Sequence, residues 1–353
     1  MHKPVSKDFV ESVLSTNKAA KAWEERKHLI TTEDLTLDEI SLELALARHF
    51  KDNDAQHMPP LTVLDRRTIA TLFYENSTRT KSSFDLAARK LGATVLHLDI
   101  KTSSAAKGES LLDTAMNLHA MGVDAVIMRH SQSGAPLDLA RQAKDQLNVI
   151  NAGDGSHAHP SQGLLDLFTM LEHLGALPSL SSKGAVENAL TETTLKGKKV
   201  AIVGDILHSR VARSNFWLLK KLGAEVHFAG PPALVPEKFG EKEMGAKVHH
   251  QLENAIKDAD FIIALRIQME RQEQGLIASL DEYKHLYRLD HDRIKTASKS
   301  KNVRVLHPGP INRGVEITDE LADDEDISLI LTQVTNGILT RMSIIALLLA
   351  QSN

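Results

Sequence analysis

Ser77, Thr78, Arg79 and Thr80 stand in a row where an apolar run, TIATLFY, gives way to a helix-spaced pattern. That pattern passes through Phe84, Leu86, Ala87, Ala88 and Leu91 and closes on Gly92. A helix N-terminus presents unpaired backbone N–H groups and a partial positive charge. The hydroxyls add donors, and an arginine fork grips two oxygens of a phosphate. The chemistry that suits this set is anion binding, although an ordinary Ser/Thr N-cap beside a surface arginine reads the same in four letters. Arg129, at the end of the run DAVIMR, supplies a second cation. Further on, HAHPSQG sets His159 and Gln162 around Pro160, on one face of a first helical turn. A neutral imidazole donating to a carbonyl oxygen, beside an amide that orients another planar amide, fits this pair. The alternative is a metal site of Asp154, His157 and His159, which lacks a second carboxylate or a His pair at helical spacing to complete it.

These residues need strand ends to hold them. β-rich apolar runs alternate with helical patterns along the chain: TIATLF, ATVLHL, DAVIMR and NVINAG first, then KKVAIVGD, AEVHFAG, DFIIAL and VRVLHPG. Strand, crossover helix, strand is the signature of a parallel sheet covered on both faces. The first four strands form one α/β layer and the last four another. The joint falls at the helix GLLDLFTMLEHLG, and the polar ALPSLSSKGAVENALTETTLKGKK after it reads as a long loop. In such folds ligands bind beyond the carboxyl ends of the strands. Those positions carry cations, hydroxyls, imidazoles and turn residues, with few carboxylates, as an anion site requires.

The second half continues the theme. IVGDILHSR lacks the GxGxxG spacing and a suitably placed acidic residue for a dinucleotide. Arg210, Arg266 and Gln268 make better sense as holding a carboxylate-bearing ligand, although Glu270 offers Arg266 a bland ion-pair partner four residues on. SSAAKGES reads as a mobile loop, in which Lys107 is either a solvated surface charge or a lid residue brought onto an anion.

Composition narrows the classes. The 353 residues are 42% hydrophobic and 25% charged, an ordinary globular balance with room for about two domains. A net charge of −4 and no Lys/Arg block give no hint of a nucleic-acid-binding surface. With no cysteine there are no disulfides, thiolate zinc sites or Cys nucleophiles, which fits a reducing compartment. The N-terminal stretch lacks a signal-peptide core, and SIIALLLA is too short to span a bilayer. The expectation is a cytoplasmic protein with no membrane segment.

Taken in order, FYENSTRTKSSFDLAARKLGA, SSAAKGESLLDT, DAVIMRHSQSGA, NAGDGSHAHPSQGLLDLFT, VAIVGDILHSRVARS, ALRIQMER and VLHPGPINRGVEI resemble the catalytic chains of the aspartate carbamoyltransferase family. The ornithine-specific relatives share STRT and HPSQ but carry an SMG stretch and a Cys-containing HCLP, where this sequence has HPGPINRG. The resemblance implies two doubly wound α/β domains, each a parallel sheet flanked by helices, with the active site in the interdomain cleft. Residues 1–158, completed by a C-terminal helix at 330–353, would bind carbamoyl phosphate, and residues 159–329 would bind aspartate. It implies that Ser77, Thr78, Arg79 and Thr80 hold the phosphate. Arg129, His159 and Thr80 would take the carbonyl oxygen. Gln162 and the carbonyls around Gly309 and Pro310 would meet the amino group. Arg210, Arg266 and Gln268, helped by Lys107, would hold L-aspartate.

The family's loop bearing Ser103 and Lys107 reaches into a neighbouring site, so a homotrimer with shared active sites is implied, with no metal or organic cofactor. The resemblance leaves room for a regulatory chain or a dihydroorotase as partner. An acceptor other than aspartate, a silent paralogue acting as a scaffold and a nucleotide-dependent dehydrogenase are the competing readings. The segment SSKGAVENALTETT (181–194) and the first 30 or so residues stand outside the compact family core.

Overall fold

The structure is a computed structural model that describes residues 5–98, 109–240, 244–267, 279–297 and 302–350. The chain divides into two compact units, Met1–Leu190 with Thr335–Asn353, and Thr191–Val334.

In the first unit the elements run α1 (Lys7–Thr16), α2 (Lys18–Arg26), α3 (Leu37–Asp52), β1 (Thr68–Phe73), α4 (Thr78–Lys90), β2 (Thr94–Leu98), α5 (Leu111–Ala120), β3 (Ala125–His130), α6 (Ala135–Ala143), β4 (Asn148–Asp154), α7 (Pro160–His173), β5 (Ser179–Leu180) and β6 (Val186–Glu187). The second holds β7 (Lys199–Val203), α8 (Arg210–Lys221), β8 (Glu225–Ala229), β9 (Lys247–His249), α9 (Leu252–Ile256), β10 (Phe261–Ala264), α10 (Leu280–Tyr287), α11 (His291–Ala297), β11 (Arg304–Leu306) and α12 (Asp319–Ala322). The closing helix α13 (Ile330–Leu349) lies mostly in the first unit.

The first sheet has the order β2-β1-β3-β4 and the second β11-β10-β7-β8-β9, all pairs parallel. β1, β3 and β4 are apolar runs buried almost throughout, as strands covered on both faces must be. A fifth strand in the second sheet, β9, was not foreseen: KVH is three residues long, lies at the sheet edge and carries no apolar run.

The division at Leu190 falls later than the boundary expected after residue 158. The reason is α7, which buries Leu164, Leu167, Phe168 and Leu171 in the first unit. Polar ties hold it there: the amide of Asn336 on α13 donates to Thr169 (3.0 Å) and Glu172 (3.1 Å), and Lys51 of α3 reaches Glu172 and the Asn336 carbonyl, each at 2.7 Å.

The segment after α7 is not a bare loop. β5 and β6 form a small antiparallel hairpin clasped by the N-terminal extension. The Asn17 amide donates to Gly184 (2.8 Å) and accepts from the Val186 N–H (3.1 Å). The added N-terminal helices and the insertion therefore brace one another.

α13 is longer than its SIIALLLA core. By length and composition it could cross a membrane, yet Leu339, Met342, Ile344, Ile345, Ala346 and Leu347 are all buried within the protein. It also buries a charge, Arg341.

A buried carboxyl makes the fold sensitive to pH. Glu43 of α3 is fully buried, and neither carboxyl oxygen has a hydrogen-bond partner among the described residues. The Ser343 hydroxyl beside it donates to the Glu43 backbone carbonyl (2.7 Å). Burial pushes the Glu43 carboxyl well above its ordinary range. A raised acid contributes stability that is complete below its unfolded pKa of about 4.3 and is lost as pH rises toward the folded value. Glu43→Leu is expected to raise unfolding stability at pH 8 by about 1–3 kcal/mol and by less at pH 4, because the cost of the buried acid grows only above its unfolded pKa. Denaturant melts at both pH values measure this.

Candidate active site

The parallel topology brings the described sequence-predicted residues of the first unit to one sheet edge. Phe73, the last residue of β1, is in register with Arg129 on β3, and His130 is in register with Asp154 at the end of β4. Ser77–Thr80 follow β1, and His159 and Gln162 follow β4, so all of them lie at the carboxyl edge of neighbouring strands.

Helices α4, α6 and α7 follow β1, β3 and β4 from this edge, and none of the three has a side-chain cap on its first turn. Ser77 sits at the N-cap of α4 and His159 at that of α7, and neither side chain makes a capping hydrogen bond. Ser6, Thr36, Ser110, Ser209 and Ser279 cap α1, α3, α5, α8 and α10, whereas α2 and α9, like α6, have no side-chain cap. The first turn of α4 holds no acidic residue. Uncapped N–H groups of this kind can receive an anion, and Ser77 and Thr78 stand beside them in sequence. Thr80 is buried, whereas Thr78 and Arg79 are exposed.

Arg129 is mostly buried, and its guanidinium donates to Glu75 Oε1 (3.0 Å). Glu75 therefore aims the arginine and offsets part of its charge, a role that its place after the first strand did not announce. Asp154, weighed as a metal ligand, is fully buried and spends its carboxylate on the turn before α7. It accepts from Gly134 N (2.6 Å), Asn151 Nδ2 (2.7 Å), Ala158 N (3.1 Å) and the His157 ring (2.9 Å). Gly155, at φ +43°, completes that turn, and a side chain there would collide with Ser133.

Sequence reasoning passed over the support behind Gln162. Its Nε2 donates to Asp166 Oδ1 (2.8 Å), both side chains being buried. Arg341 of α13 lies over the Phe84 ring at 5.0 Å and donates to the Gly337 carbonyl (2.9 Å). Burial pulls its guanidinium down to about 10, with Asp166 opposing the fall and Arg129 adding to it, so it remains a cation at neutral pH. A lone arginine in so apolar a helix was the signal that could have found it.

The second unit builds its own edge. β7, β10 and β11 are adjacent, and Arg210, Arg266 and the 307–310 turn follow them in that order. Arg210 opens α8 and is buried. The preceding turn is rigid: Asp205 accepts from the His208 N–H (3.1 Å) and ring (3.0 Å), and Arg213 donates to the carbonyls of Leu207 (3.0 Å) and Ser209 (3.1 Å). Gly204, at φ +127°, passes so close to the Leu265 carbonyl that a Cβ would not fit.

At the third strand end, His307 Nδ1 accepts from the Gly309 N–H (2.8 Å), which leaves Nε2 to donate to Glu316 (3.0 Å). Glu316 also accepts from the Asn312 N–H (2.7 Å), and Gln333 from the His307 N–H (2.8 Å). This network cinches the loop that carries Gly309 and Pro310. Ser103, Lys107 and Gln268 lie outside the described residues.

Comparison with known proteins identifies the family. Residues 27–172 match the aspartate/ornithine carbamoyltransferase carbamoyl-P binding domain, and residues 196–348 the Asp/Orn binding domain of the same enzymes. The aspartate carbamoyltransferase catalytic subunit of Acaryochloris marina is 47% identical over 94% of this chain and 98% of its own length. Aspartate transcarbamoylase from Trypanosoma cruzi, solved in complex with carbamoyl phosphate and aspartate, superposes with a TM-score of 0.75 at 26% identity, covering 90% of this chain and 95% of that one. Ornithine carbamoyltransferase from Pyrococcus furiosus gives 0.75 at 28% identity, over 92% and 98%. Two parallel sheets with cationic strand ends, each matched to its own domain of these enzymes, place the chain in the aspartate/ornithine carbamoyltransferase family.

Proposed function

We propose that this chain is an aspartate carbamoyltransferase, moving the carbamoyl group of carbamoyl phosphate to the amine of L-aspartate to give N-carbamoyl-L-aspartate and inorganic phosphate, a step of de novo pyrimidine synthesis. The observation that carries the reading is the first unit's sheet edge, where the uncapped starts of α4 and α7 lie with Arg79, Arg129 and His159.

The phosphate of the donor lies at the start of α4, on its N–H groups, Ser77, Thr78, Thr80 and the Arg79 fork. Arg129, His159 and Thr80 point at the carbonyl oxygen, and Gln162 with the carbonyls near Gly309 and Pro310 meets the amino group. Arg210, Arg266, Gln268 and Lys107 take the carboxylates of aspartate. The neutral amine attacks the carbamoyl carbon and forms the C–N bond. Negative charge collects on the carbonyl oxygen, where each positioned donor is worth about 3 kcal/mol. Collapse of the tetrahedral intermediate breaks the bond to the phosphate oxygen. The departing phosphate accepts the amine proton, so no side chain need act as base. Holding two anionic reactants in order supplies much of the remaining rate.

Three such chains form the working unit in this reading. β2 is an edge strand, and Leu96 on it and Leu86 on α4 are 39% and 45% exposed. Apolar edges of parallel sheets are normally covered, and a second copy of the chain is the cover we propose.

The test is phosphate release from carbamoyl phosphate with a panel of amines. Aspartate is expected to support turnover, while ornithine and putrescine are not. Turnover with ornithine alone would overturn the acceptor assignment.

A further inference from the structure

The amide of Gln162 has a fixed direction. Its Nε2 donates to Asp166, one turn along α7, at 2.8 Å. Asp166 is fully buried, and the Arg341 cation of α13 lies close enough to feel its charge. An ionised carboxylate has acceptor sites only, so it holds the NH2 end of the amide and turns Oε1 the other way. Side chains on a helix lean toward its N-terminus, and for Gln162 that is the sheet edge with His159. The two ends of a glutamine amide are nearly the same shape. Without a neighbour that only accepts, the amide would also present its NH2, and donor would face donor at the amino group of a carbamoyl substrate.

We infer that Asp166 is a positioning residue: it holds Gln162 with Oε1 toward the substrate and so makes the site prefer a carbamoyl group to an acyl group of the same shape. The inference rests on carbamoyl phosphate being the donor. The neighbouring Arg341 cation favours the charged carboxylate, the form that only accepts.

Asp166→Asn is the informative variant. Asparagine has nearly the same volume and can still bond to Gln162, but with either end, so it removes the direction and leaves the contact. The readouts are kcat/KM for carbamoyl phosphate and the inhibition constant of acetyl phosphate, in which a methyl replaces the amino group. The expected result is roughly a tenfold fall for carbamoyl phosphate with acetyl phosphate inhibition unchanged. In a Gln162→Leu background the same substitution should change neither.

Equal losses for both ligands would mean that Asp166 only supports the fold, and the inference would fall. A wild-type protein inert toward carbamoyl phosphate would instead remove the functional reading. Because the asparagine leaves Arg341 without its anionic neighbour, Asp166→Asn paired with Arg341→Gln guards against misfolding. It carries the same expected ratio, since both ligands share the phosphate.

Discussion

Alanine in place of Arg79 is expected to cut kcat/KM for carbamoyl phosphate by roughly a thousandfold, the worth of two charge-assisted bonds at about 1.5–3 kcal/mol each, while the protein melts no lower than wild type. The second half of the expectation is the more telling. Arg79 is exposed and lies in the first turn of α4, where a cation opposes the helix dipole by about 0.3–1 kcal/mol. A cation kept for helix stability would sit at the other end of the helix. Arg79→Lys should recover only part of the loss, because an ammonium cannot reproduce the two-pronged grip. Calorimetric titration with carbamoyl phosphate and thermal melts of the three proteins make the comparison. An alanine variant that binds as well as wild type would remove Arg79 from the site, and one that unfolds would make it a structural residue.

The same four letters show what can be read from a sequence and what cannot. Thr36 and Glu39 form a capping box at α3, and TLDE spells it out. STRT has threonine where that glutamate would be, so α4 lacks the box, and this much was legible. That the Ser77 side chain leaves its own helix unserved is a matter of rotamer and φ/ψ, which four letters do not encode.

Strands such as TIATLF and DAVIMR were legible for a simpler reason. A strand covered on both faces must be apolar throughout, and its length is set by the turn residues beside it. β9 escaped because a short edge strand needs no apolar run, and the 179–187 hairpin because its partners lie in the N-terminal extension, more than 160 residues away. The division after Leu190 differs from the expected boundary for a related cause. α7 follows the last strand of the first sheet, as a crossover to the next unit would, yet Asn336 and Lys51 tie it back, and both are remote in sequence. That the candidate residues follow strand ends was therefore accessible from the order of the elements. The groups that orient them, Glu75, Asp166, Arg341 and Glu316, required the packing.

The largest gain of activity should come from mixing two dead proteins. His159→Ala removes a donor to the carbonyl oxygen, a loss of about 10²–10³ in kcat, and Lys107→Ala removes a cation that we assign to the aspartate carboxylates. If each site takes its His159 from one chain and its Lys107 from a neighbour in a closed ring, a working site needs an intact His159 beside an intact Lys107. At equal proportions and random assembly about one site in four meets that condition, so roughly a quarter of wild-type activity should return after the chains are unfolded together and refolded. Sites built within one chain would return none. Lys107 follows the end of β2 by nine residues, and β2 is the exposed edge at which we place the neighbour. A blocking charge there separates assembly from chemistry. Leu96→Lys should dissociate the trimer in sedimentation and abolish recovery in the mixture while leaving the sheet folded, because the side chain already faces outward. Recovery by monomers, or a trimer indifferent to Leu96→Lys, would move the shared boundary away from this strand.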